Sequence, residues 1–169
     1  MLVKNVDATV TLPSEKEIRL TGTLQHPRSL VFEAWTKPEH LRRWSCCEGG
    51  TLTICEIDLR VGGAWRRVMR MPDGSEHPFK GIYREIVPGE RLVYTECYDN
   101  PQIGSPEWLT TVTFEEREGK TRLTQSIVHS SREARDGHLK SGMEHGAIDQ
   151  MRRLDECLTQ MEHRSVKGI

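Results

Sequence analysis

Apolar and polar residues alternate with a strand-like period of two through most of the chain, then change to a helical period over its last quarter. In Glu17–Gln25, Ile18, Leu20, Gly22 and Leu24 alternate with Glu17, Arg19, Thr21 and Thr23, which predicts a strand ended by His26-Pro27. Leu30, Val31, Ala34 and Trp35 then recur at helical spacing up to Thr36, and Pro38 opens a second short helix carrying Leu41 and Trp44. Ser45–Gly50 reads as a loop and Thr51–Leu59 as a strand. Three further strands, Ala64–Met71, Phe79–Val87 and Leu92–Tyr98, are separated by Pro72-Asp73-Gly74 and Pro88-Gly89. Both are turn signals, because proline presets φ and glycine admits positive φ.

After a loop over Asn100–Pro106, Trp108–Glu116 places Trp108, Thr110, Val112 and Phe114 on one face. Thr121–His129 does the same with Leu123, Gln125, Ile127 and His129. From about Arg132 to His163, Leu139, Met143, Ala147, Met151, Leu154, Leu158 and Met161 recur at steps of three and four. A curved antiparallel sheet must bury one face, and this stripe is the helical surface able to cover it. The expected fold is therefore α+β: a curved antiparallel sheet of about seven strands wrapped on one long C-terminal helix, with two short helices after the first strand. Residues 1–14 form an arm, 15–163 the domain and 164–169 a tail. Val6, Ala8, Val10 and Leu12 alternate within the arm and could add a strand or contact area across a two-fold axis, so a homodimer is expected.

Composition narrows the function by exclusion. A net charge of −1 provides no field for nucleic acid or an anionic membrane. No run approaches the ~20 apolar residues of a membrane span, and the N-terminus lacks the apolar centre of a secretory signal. Cytoplasmic residence is expected. The five cysteines are odd in number, and no CxxC pair occurs. GxSxG, P-loop, GxGxxG and HExxH motifs are absent as well. No catalytic residue, metal or cofactor is predicted.

One set of motifs identifies relatives. It comprises His26-Pro27-Arg28, Trp35-Thr36-Lys37-Pro38-Glu39-His40-Leu41 with Trp44, Asp58-Leu59-Arg60-Val61-Gly62-Gly63-Ala64-Trp65 and Met71-Pro72-Asp73-Gly74. Phe79–Ile86, Pro88–Leu92, Val112-Thr113-Phe114, Thr121–Thr124 and Gly142-Met143-Glu144 continue it. With these, residues 16–161 resemble the START-like, or helix-grip (SRPBCC), superfamily. More closely they resemble the family of the C-terminal domain of the Hsp-ninety ATPase activator. The resemblance implies a helix-grip fold and a cavity between sheet and helix that binds a small, mainly apolar molecule. It also implies two alternatives: a chaperone-associated interaction module, or a cyclase or lyase working in the same cavity. The sequence departs from the family pattern at Ser45-Cys46-Cys47-Glu48 and at Arg67, where an aromatic residue is common.

The candidate ligand-binding residues are Trp35, Trp44, Trp65, Arg67, Met69, Phe79, Tyr83, Trp108, His129, Met143 and Gln150. The aromatic and methionine side chains suit an apolar pocket, and each of them also suits ordinary core packing. Arg67 is in phase with Trp65 and Met69, positioned to hold a carboxylate or phosphate or to pair with Glu85. Gln150, in the middle of the helical stripe, needs a partner in a ligand, Gln125 or His129. His129 has no carboxylate at recognisable spacing and reads as a wall residue. His138 and His145 are two turns apart, ~10 Å by helical rise, and read as a solvated face. Gly142 and Gly146 are expected to let the helix approach the sheet. Cys46-Cys47 is an adjacent thiol pair able to chelate a soft metal or oxidise, but its one conceivable companion is Cys55 and no His or Cys stands at a convincing spacing, so it reads as a pair of incidental loop thiols.

Overall fold

A computed structural model describes residues 6–102 and 106–167. Residues 103–105, inside the expected Asn100–Pro106 loop, lie outside the described residues, as do 1–5 and 168–169. The strands are β1 (Asp7–Thr11), β2 (Glu17–Leu24), β3 (Thr51–Ile57), β4 (Ala64–Arg70), β5 (Glu76–Val87), β6 (Arg91–Tyr98), β7 (Trp108–Arg117) and β8 (Lys120–Val128). They form one sheet in the order β1-β2-β8-β7-β6-β5-β4-β3, with every neighbouring pair antiparallel. Helices α1 (Arg28–Thr36) and α2 (Pro38–Trp44) follow β2, and α3 (Arg132–Lys140) and α4 (Met143–Lys167) close the chain. This is the helix-grip α+β architecture.

The alternation in the sequence appears directly as burial. Ile18, Leu20 and Leu24 of β2, Thr110, Val112 and Phe114 of β7, and Leu123 and Ile127 of β8 are all buried. Met151, Leu154, Leu158 and Met161 of α4 meet them, so the helical stripe and the concave sheet face seal each other from water.

The arm takes the strand form, and one expectation at the other end of the fold is corrected. Asp7–Thr11 is an eighth strand on the edge of this chain's own sheet, in register with Arg19–Thr23. Its half-buried Ala8 and Val10 pack against the core of the same chain. The C-terminal helix is not continuous. It breaks at Ser141-Gly142, where Gly142 has φ +84, a conformation that favours glycine and ends helices. Ser131 caps α3 by accepting the Ala134 amide at 3.0 Å.

His26 ties the start of the helical layer to α4. Its buried ring lies 3.3 Å from an Asp155 carboxylate oxygen and 2.9 Å from one of Glu162. The hydroxyl of Thr121 donates to the His26 carbonyl at 2.7 Å. Replacing His26 by alanine leaves buried Asp155 without that partner and is expected to cost about 1–3 kcal/mol. Urea denaturation checks this, and a change below about 0.5 kcal/mol would show that the clamp contributes nothing.

Candidate functional site

A cavity of about 350 Å³ lies between the sheet and the C-terminal helices, with Ser141, Gly142 and Met143 of the helix break in its wall. Such a volume is within the range of small-molecule sites. Of the residues expected to bind a ligand, Trp35, Trp44, Arg67, Met69, Phe79, Trp108, Met143 and Gln150 border this cavity. Trp65 and Tyr83 instead line a cleft of only about 20 Å³ under α1 and α2, both buried. His129 is outside both linings. Gly142 and Gly146 border the cavity with no atom within 4 Å of where a Cβ would stand, so they enlarge the space and do not tighten helix against sheet.

The floor carries a polar cluster that the sequence reading did not assemble. Glu96 of β6 is in phase with Leu92 and Tyr94, which turns its carboxylate onto the concave face. Trp108 Nε1 donates to Glu96 Oε2 at 3.2 Å, and Arg67 Nη2 stands 3.9 Å from Oε1. Arg67 also reaches Ser45 Oγ at 3.5 Å, and its guanidinium carbon lies 4.6 Å from the Trp65 ring centre, a cation–π contact. The expected alternative partner, Glu85, is engaged by Arg91 at 3.4 Å.

Electrostatics follow from the geometry. Burial pushes the Glu96 carboxyl above the ordinary glutamate range, opposed by Arg67 and by the hydrogen bond from Trp108. Burial, reinforced by Glu96, raises the Tyr94 phenol well above its usual value. Burial also raises Tyr83 to about 12. The floor therefore offers a guanidinium, a neutral phenol and a carboxyl inclined to hold its proton. It can donate hydrogen bonds to carbonyl or carboxylate oxygens, or pass one proton to a bound molecule.

The wall nearest α3 corrects the reading of His138. Its ring borders the cavity, and its Nδ1 shares a hydrogen bond with His129 Nε2 at 2.9 Å. Trp108 packs on both rings, with centroids 5.3 Å from His129 and 5.2 Å from His138. Burial, then repulsion from His129, brings the His138 pKa down to about 4. Burial and Arg135 lower that of His129. His145 remains exposed, as expected. Helical phase counted along one unbroken helix misassigned His138, because the break at Gly142 resets the phase.

The fold and the mostly apolar site between sheet and helix define a helix-grip module. Residues 25–159 match the family described as Activator of Hsp90 ATPase homolog 1-like protein, and the chain belongs to that family. Family and fold together support a ligand-binding or activator-like module. A solved protein from Nitrosomonas europaea is similar, with TM-score 0.81 and 25% identity, covering 90% of this chain and 99% of that one. One from Rhodobacter sphaeroides gives TM-score 0.82 and 26% identity, covering 91% and 99%. DynU16, a putative protein in the dynemicin biosynthetic locus, shares the fold at TM-score 0.65 and 22% identity, over 87% of this chain and 48% of its own. A search of curated proteins gave no match. Among the described residues, no helix is long and apolar enough to cross a membrane.

Proposed function

We propose that the protein binds a small, mainly apolar molecule between sheet and helix, with the polar end of that molecule on Arg67 and Glu96. The observation that carries this reading is a cavity of about 350 Å³ walled by Trp35, Trp44, Met69 and Phe79, with Arg67 and Glu96 beside each other at its floor. An apolar surface that size is favourable to fill, and the polar floor gives an occupant one orientation.

An environment-sensitive apolar dye is expected to bind stoichiometrically and quench tryptophan fluorescence, because Trp35, Trp44 and Trp108 border the space. Met143→Trp is expected to abolish dye binding with little loss of stability, since Met143 borders the cavity at the helix break. In a filled core the same change would overpack and cost about 1–3 kcal/mol. Undiminished dye binding in this variant together with a fall in stability would refute the reading.

A second reading, a chaperone-associated interaction module, is favoured by the family's namesake. Stimulation of an Hsp90-type ATPase by the wild-type protein and equally by Met143→Trp would favour it over the cavity. Light scattering at micromolar concentration tests the proposed homodimer; a monomer mass would exclude it.

A further inference from the structure

Cys46 and Cys47, adjacent in sequence, place two sulfur atoms at one end of the cavity, where the distant Met71 supplies a third beside Cys47. Cys46 and Cys47 follow α2, and Met71 follows β4. Cys47 Sγ is 3.6 Å from Met71 Sδ. Gly50 locates the third sulfur, because a Cβ built there would lie 2.8 Å from Cys46 Sγ and 2.8 Å from Cys47 Sγ. The loop is held in this form by the Gly50 amide donating to the Cys47 carbonyl at 3.0 Å. Cys47 and Met71 both border the cavity, so the cluster is reachable from it. All five cysteines are free thiols.

We propose that Cys46, Cys47 and Met71 form a binding site for a soft monovalent d¹⁰ cation, Cu(I) or its analogue Ag(I). Three sulfurs around a trigonal cation with bonds of about 2.3 Å stand about 4 Å apart, close to the spacing between Cys47 and Met71. A thioether beside two thiols selects soft cations over zinc, magnesium or calcium. Among the described residues, no group of three His, Cys, Asp or Glu converges on a metal position, so the site lacks the ligands zinc requires.

Binding replaces two S–H protons by the cation and releases both to solvent, while the Met71 thioether donates a lone pair without changing protonation. The resulting group carries one negative charge. Arg153, whose Nη1 donates to the Cys46 carbonyl at 2.6 Å, stands beside it to offset that charge. Because binding releases two protons, uptake strengthens with rising pH.

The test is an anaerobic titration of the reduced full chain with Cu(I) buffered by bicinchoninate, read alongside X-ray absorption. One Cu(I) per chain with three sulfur neighbours is expected. Cys47→Ser should weaken binding beyond the roughly 10–100-fold typical of changes to a metal site's outer partners. Met71→Leu should reduce the sulfur count to two and weaken binding measurably, whereas Cys97→Ser should change neither. Far-ultraviolet circular dichroism confirms that each variant is folded. The proposal is overturned if copper stays with the competitor, or if the Cys46→Ser/Cys47→Ser double variant still binds it. It is equally overturned if Met71→Leu leaves both affinity and sulfur count unchanged.

Discussion

Gly81→Ala is expected to destabilise the protein by about 3 kcal/mol or more, one of the largest single-residue effects in this fold. Gly81 sits on β5 directly opposite Trp65 of β4. The Trp65 indole lies across the glycine and donates from Nε1 to the Thr95 carbonyl of β6 at 3.2 Å, so one side chain spans three strands. A Cβ on Gly81 would collide with the Thr95 carbonyl and lie 2.5 Å from that indole nitrogen. The first of these neighbours is sheet backbone, which cannot give way as a flexible side chain can. The variant must lose the Trp65 hydrogen bond or shift the β5–β6 register. For a chain of this size the melting temperature should fall by roughly 6–12 °C. Equilibrium denaturation measures the change, and a loss under about 1 kcal/mol would mean that the sheet accommodates the methyl group.

Acidification is expected to loosen α3 before it unfolds the rest. The folded protein holds His129 and His138 neutral, bonded to each other, packed on Trp108 and next to Arg135. Both pKa values lie below the ordinary 6.5, that of His138 at about 4. Lowered values mean that the unfolded chain takes up protons first. The stabilisation is therefore complete above pH 6.5 and is lost as the pH falls from there towards 4. For His138 the loss amounts to as much as about 3 kcal/mol. Carboxylates with lowered pKa values, Asp136 and Asp73 among them, add to the loss only nearer their own range, and Glu96, whose pKa is raised, acts in the opposite sense, so the difference made by a histidine substitution between about pH 6.5 and 5 reports the pair. His138→Gln should flatten the stability profile across that interval. A slope there unchanged by the substitution would remove the histidine pair from the account.

Much of the fold is readable from residue pattern because burial is a local property of a strand or helix. Ile18, Leu20 and Leu24 alternate because one sheet face is dry. The Leu154/Leu158/Met161 stripe recurs because one side of a helix covers that face. The site is readable only in part. Trp35, Met69, Phe79 and Trp108 could be assigned inward by phase, but phase does not tell a cavity wall from a filled core. Trp65 and Tyr83 have the same phase as cavity residues and lie in close packing. Glu96 is legible in the sequence: it alternates with Leu92 and Tyr94, and an acidic residue in phase with a buried run signals a polar floor. The Ser141-Gly142 stop signal was likewise present in the sequence, and using it would have freed His138 from the phase of α4.

Most elements, their turns and the face each turns inward follow from local residue order, since φ preferences and apolar periodicity act over a few neighbouring residues. Tertiary structure alone decided which inward residues meet. Strand order and the register shifts between Leu52 and Ile54 and between Tyr83 and Glu85 set the cross-strand neighbours, and no local pattern encodes them. The pairing of Arg67 with Glu96, the His129–His138 bond and the approach of Met71 to Cys47 all belong to this second class. Each joins residues whose separation along the chain says nothing of their separation in space.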